Sequence, residues 1–144
     1  MAHALATATE TARRNGLAER VETVRGEAMD TLERMGREGA RFGVVVADPP
    51  AFAKSRKDIP AAIRAYGRLA RLAAALVAPG GFLFIASCSH HVPSGEFADT
   101  VLAGLYRARR DSRILALTGA GPDHPLHPML PESAYLKALT LQLS

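Results

Sequence analysis

The stretch FGVVVADPPAFAKSRKD, residues 42–58, decides how the rest of the chain is read. Gly43 to Ala47 is a continuous run rich in β-branched residues, the pattern of a strand buried on both faces, as in a parallel sheet. An acid, two prolines, an aromatic and a basic run follow it at once. The prolines remove two N–H donors and hold the backbone extended, so the strand ends at Asp48 in a stiff turn. A second apolar stretch, Phe82 to Ala86, runs directly into Ser87-Cys88-Ser89-His90-His91 and so into the only cysteine among the 144 residues.

Between the two stretches, Ile63, Tyr66, Leu69, Ala73, Leu76 and Val77 recur at helical spacing. Asp58 is placed to cap that helix and Pro79-Gly80-Gly81 to stop it. Working outward, residues 3–14 predict an alanine-rich helix ended by Asn15-Gly16, 20–24 a short alternating strand, and 28–37 a second helix. A helix from about Gly95 to Arg110 and strands starting at Arg113 and Ala138 complete the pattern, the last two joined by a proline-rich loop. Alternation of this kind predicts one α/β domain with a largely parallel sheet of about five strands.

A right-handed crossover makes the strands 43–47 and 82–86 neighbours. Reactive residues in open α/β sheets collect beyond the carboxyl ends of the strands, so Asp48 and Cys88 are expected in one crevice, as acid and nucleophile. The plain alternatives are a strand-terminating turn and an inert core cysteine. Against the second, the flanking serines and histidines suggest a polar, accessible place where a thiolate can form.

A chain that is 48% hydrophobic can bury a core, and its 18 basic against 14 acidic residues give a formal charge of +4. Six of those basic residues, Lys54, Arg56, Lys57, Arg64, Arg68 and Arg71, fall in one stretch with Asp58 as its only acid. Such a cluster suits a polyanion, or is simply a solvated helix face. One cysteine excludes an intrachain disulfide and a cysteine-based metal cluster, and the adjacent His90 and His91 do not converge on one ion, so no metal is expected. No basic segment leads into a long apolar core at the N-terminus, and no run approaches the roughly 18 apolar residues of a membrane helix. The expectation is a cytoplasmic, soluble protein. Gly119-Ala120-Gly121 follows a late strand and runs into Pro-Asp-His-Pro, so it reads as a loop, not as a nucleotide-binding turn.

Together, DPPAFAKSRKD (48–58), APGGFLFIASCSHHV (78–92), and PDHP (122–125) followed by PESAYLKAL (131–139) resemble the large-subunit ribosomal RNA cytosine methyltransferases. That family carries an N-terminal PUA domain and uses S-adenosylmethionine. The resemblance extends over nearly the whole chain and implies a partial Rossmann-like class I methyltransferase fold with an antiparallel last strand, residues 1–144 being the C-terminal part of the catalytic domain. By the same comparison the PUA domain, two strands and the glycine-rich cofactor loop are missing, and Glu27 stands where the family has Asp.

The resemblance further implies that Cys88 adds to carbon 6 of cytosine while Asp48 bonds or protonates the ring nitrogen, which activates carbon 5. Glu27, Ala28 and Asp48 would touch the cofactor. Pro49, Pro50 and Phe52 would hold the base, and Lys54, Arg56 and Lys57 the phosphates of ribosomal RNA. Two other readings stay open: an amino-group methyltransferase, which needs no cysteine, and a non-catalytic fragment that binds the cofactor too weakly to turn over. A strand left without its neighbours would also expose an edge and favour self-association.

Overall fold

Residues 2–14 form helix α1 (Ala2–Arg14) in the computed structural model, which describes residues 2–144. Glu10 accepts from Arg13 and Arg14 at 2.8 Å each, and these guanidinium groups hold its carboxyl below the usual glutamate range. The helix stops as its sequence requires: Leu17 N–H bonds the Ala12 carbonyl, and Gly16 takes a φ of 67°, which costs glycine little. The expected strand at 20–24 does not form. Ala18–Arg20 is one 3-10 turn, and the chain then continues without strand pairing, leaving Val21 and Val24 each 44% exposed. An alternating pattern gives a strand only where another strand offers its edge. These residues, through Thr31, make up one compact unit, and Leu32–Ser144 make up the other. Helix α2 (Ala28–Arg37) begins in the first and ends in the second.

In the second unit, strand β1 (Phe42–Ala47) is followed by helix α3 (Ile59–Leu76), strand β2 (Val77–Ser87), helix α4 (Ser94–Arg107) and strands β3 (Ser112–Thr118) and β4 (Lys137–Leu143). Among the described residues the strands form one four-stranded sheet in the order β1-β2-β4-β3. β1 and β2 pair in parallel, and β4 enters antiparallel between β2 and β3, so three strands share one direction and the last opposes them. This is the arrangement expected, with four strands where about five were predicted.

Pro79-Gly80-Gly81 does not lie beyond the helix as a separate stop. The helix already ends at Leu76, and the three residues form a bulge inside β2, where register jumps from Phe42↔Val77 to Val44↔Phe82. Gly80 has a φ of 77°, and a Cβ at Gly81 would lie 2.8 Å from the Gly43 carbonyl oxygen, so both positions demand glycine. Asp58 precedes α3 but does not cap it. Its carboxylate turns back to Ser55, accepting from the backbone N–H at 2.9 Å and the hydroxyl at 2.7 Å.

One face of the sheet is buried: Leu83, Ile85, Leu139, Leu141 and Leu143 are inaccessible. α3 lies on it and packs against α4, and the two helices approach closely because Gly104 has no side chain. A Cβ there would sit 2.7 Å from the Gly67 carbonyl oxygen. The opposite face is open over β1, where Val44 is 61% and Val46 65% exposed, which corrects the expectation of a strand buried on both sides. Val44 and Val46 pair with Phe82 and Phe84 of β2 on the face opposite the buried leucines, where Phe82 is 39% exposed as well, so the apolar composition of β1, an edge strand, does not translate into burial.

Candidate functional site

The carboxyl ends of β1 and β2 and the start of β4 meet at one end of the sheet. There the Cys88 Sγ lies 3.9 Å from the Pro49 carbonyl oxygen, so the two stretches that stood out in the sequence do converge. Cys88 is half-buried and a free thiol. Asp48 is exposed, and its carboxylate has no hydrogen bond or ion pair within the described residues. Pro49 is half-buried and Pro50 exposed.

A buried polar network fixes this junction. Ser87 Oγ donates to Tyr66 Oη at 2.8 Å, Tyr66 Oη and Ser89 Oγ lie 2.8 Å apart, and Ser89 Oγ accepts from the Ala53 N–H at 3.2 Å. The flanking serines therefore face inward, contrary to the expectation that they mark an accessible surface, and they tie the cysteine loop to the Asp-Pro-Pro turn and to α3. Phe52 is half-buried with its ring 4.7 Å from that of Tyr66, which in turn meets Phe97 edge-on at 5.2 Å. Part of the Phe52 surface is already occupied by its own core.

Lys137, the first residue of β4, escaped sequence reasoning. It is 5% exposed, and its ammonium donates to the Ser89 carbonyl at 2.7 Å and the Val92 carbonyl at 2.6 Å. Burial holds it below the ordinary lysine range, against the opposing pull of Cys88. A lysine opening an otherwise apolar strand was the one available signal. Satisfying two carbonyls this way closes the turn that follows Cys88, where an unbonded buried carbonyl would cost about 1–3 kcal/mol.

Lys54, Arg56 and Lys57 are exposed on and beside the 3-10 turn Arg56–Asp58 that the Ser55–Asp58 bonds fix. Of the further basic residues on α3, Arg68 is paired with Glu33 at 3.2 Å. Glu27 and Ala28 are exposed, and Glu27 accepts from the Asp30 N–H at 3.0 Å, so its carboxylate caps α2. A cavity of about 300 Å³ bounded by Gly80, Asp111, Arg113 and Gln142 lies at the other end of the sheet, away from Cys88.

The strand order, with an antiparallel last strand inserted beside β2, is part of a class I methyltransferase fold. The chain superposes on SMU.776, assigned as a methyltransferase and crystallised with SAH, with a TM-score of 0.67 at 18% identity, covering 87% of this chain and 33% of that one. A methyltransferase homologue from Pyrococcus horikoshii gives 0.60 at 16% identity, covering 94% of this chain and 49% of the other. Within that class the sequence is similar to two large-subunit ribosomal RNA methyltransferases. It is 38% identical over 122 residues to one from Deinococcus radiodurans, covering 85% of this chain and 29% of the relative. To methyltransferase I of Aeromonas hydrophila it is 36% identical over 141 residues, covering 97% of this chain and 36% of that protein. The chain thus spans about a third of the length of these curated relatives. No family model matches it.

Proposed function

We propose that this chain is the nucleophile-bearing part of an S-adenosylmethionine-dependent methyltransferase acting on carbon 5 of a cytosine in large-subunit ribosomal RNA. The approach of Cys88 to the Asp-Pro-Pro turn, 3.9 Å from sulfur to the Pro49 oxygen, carries the reading, together with the similarity to ribosomal RNA methyltransferases. Carbon 5 of cytosine is a poor nucleophile until something adds at carbon 6, and a thiolate does this well. Cys88 makes that bond, and after the methyl group has moved to carbon 5 a base takes the hydrogen from that carbon, so that the ring double bond re-forms and the Cys88 thiolate leaves. Asp48, which pairs with no other group among the described residues, takes part as the carboxylic acid, donating its proton toward the ring nitrogen as negative charge builds there. The Pro49–Pro50 turn and the open part of Phe52 position the ring, which has to leave its stack to arrive. Lys54, Arg56 and Lys57 meet phosphates.

When bound, S-adenosylmethionine supplies the electrophilic methyl group. The residues assigned to it fit only part of such a ligand: Asp48 is free, Glu27 is committed to the α2 cap, and Ala28 offers backbone alone. Each missing hydrogen bond to a polar ligand group costs about 1.5–3 kcal/mol. The 144-residue chain alone is therefore expected to bind the cofactor too weakly to turn over, and calorimetric titration giving a low-micromolar constant would contradict this. Among the described residues no helix is long and apolar enough to cross a membrane, and a ribosomal RNA substrate suits the cytoplasm. The free edge of β1 is the surface through which copies of the chain associate.

The decisive experiment replaces Cys88 with Ala in a full-length methyltransferase carrying this segment. Methylation of carbon 5 should fall by at least about a thousandfold. Undiminished methylation would leave the amino-group reading, in which Asp48 and the Pro-Pro turn hold an exocyclic amine.

A further inference from the structure

At the end of the sheet opposite Cys88, α4 runs out in Tyr106-Arg107-Ala108-Arg109-Arg110. Tyr106 is 84% exposed, and it lines an open groove of about 560 Å³ with Arg107, Arg109, Arg110 and Asp111. Arg113 stands beside Asp111 in the adjoining cavity, and the like charge of Arg41 acts on Arg110. Among the described residues none of these five arginines is in an ion pair. Asp111, the acid at the groove, is bonded through its carboxylate to the Ser112 N–H at 2.9 Å.

Arg110 has an evident structural task, since its guanidinium donates to the carbonyls of Ala74 at 2.8 Å and Val77 at 2.6 Å and so closes the end of α3. Arg109 has none. It occupies the left-handed residue that ends α4, with a φ of 55°, while the Arg110 N–H bonds back to the Leu105 carbonyl at 3.1 Å. Glycine is the usual residue at this position because a side chain there is strained. An arginine held against its backbone preference, beside an exposed aromatic and four more unpaired cations, points to selection for the side chain and not for the turn.

We infer that Tyr106, Arg107, Arg109 and Arg113 form a second RNA contact, which grips the phosphate backbone of a folded RNA about 20 Å from the crevice, the length of a six-residue strand. The inference rests on the ribosomal RNA reading above and extends it: one end of the sheet takes the target base, and the other holds the flanking helix of the same molecule.

The test is fluorescence anisotropy of the whole chain with a labelled RNA hairpin over a salt series, comparing the unaltered protein with Arg109→Gly. Because glycine suits the left-handed position, this variant should melt no lower than the original, which separates binding from folding. Loss of one phosphate contact should weaken binding about eight-fold near 0.1 M salt and flatten the salt slope by about 0.7–0.9. Arg109→Lys, which keeps the charge, should retain most of the slope. Unchanged affinity and slope in Arg109→Gly, with Lys54, Arg56 and Lys57 replacements still weakening binding, would overturn the second contact alone. A chain that does not bind the hairpin at all would overturn it together with the RNA reading.

Discussion

β1 and β4 look alike in the sequence and differ in the structure. Both are short apolar runs, GVVVA and ALTLQL, yet Leu139, Leu141 and Leu143 of β4 are fully buried while Val44 and Val46 of β1 are about two-thirds exposed. The difference lies in position. β4 is flanked by β2 and β3 and has its leucine face under the helices, whereas β1 has one neighbour and an open face. Apolar composition therefore describes what a strand can bury, and the neighbours determine what it does bury.

The largest effect that sharpens this contrast is in the core. Leu141→Ala should cost about 2–5 kcal/mol, because the site is fully enclosed and cannot collapse completely around the loss. Val46→Ala should cost less than about 1 kcal/mol, since most of that side chain is already in water. Chemical denaturation of both variants measures the difference, and equal costs would mean that β1 is covered in solution.

Lys137 tests the polar end of β4. Lys137→Met should cost about 1–3 kcal/mol by leaving the Val92 carbonyl unpaired, while the Ser89 carbonyl keeps its bond from the Val92 N–H at 3.1 Å. Its pH dependence has a definite sign. The buried ammonium loses its proton at lower pH than in the unfolded chain, so between the two values the unfolded state binds more protons and stability rises with pH. The advantage of the original over Lys137→Met should grow as pH climbs through that window toward the ordinary lysine value. Melting curves at neutral and alkaline pH check it, and a shrinking advantage would show that burial does not depress the group.

The smallest effect on stability falls on β1. Val44→Thr with Val46→Lys should leave the melting temperature within a degree or two, because exposed substitutions change little. The same pair should abolish self-association by placing a charge on the open edge strand. Sedimentation velocity reads the outcome. An unaltered chain that is a stable monomer at all concentrations would remove the edge as an association surface.

What the sequence determined by itself was mostly local. Helix α2 and the cores of β1, β2, β3 and β4 were legible because periodicity and glycine or proline punctuation are properties of neighbouring residues. The meeting of the Asp-Pro-Pro turn with the cysteine loop was legible too, since a single right-handed crossover leaves little choice of where two strand ends go. Tertiary structure alone decided the rest. It left 20–24 without a partner strand and put the proline and glycines of 79–81 inside a bulge. It turned Ser87 and Ser89 inward onto Tyr66, and brought Lys137 from 48 residues away to hold the cysteine loop. Each of these depends on which strand edges and carbonyls remain unsatisfied once the sheet is assembled. That balance is struck between segments far apart in the chain, where no local pattern records it.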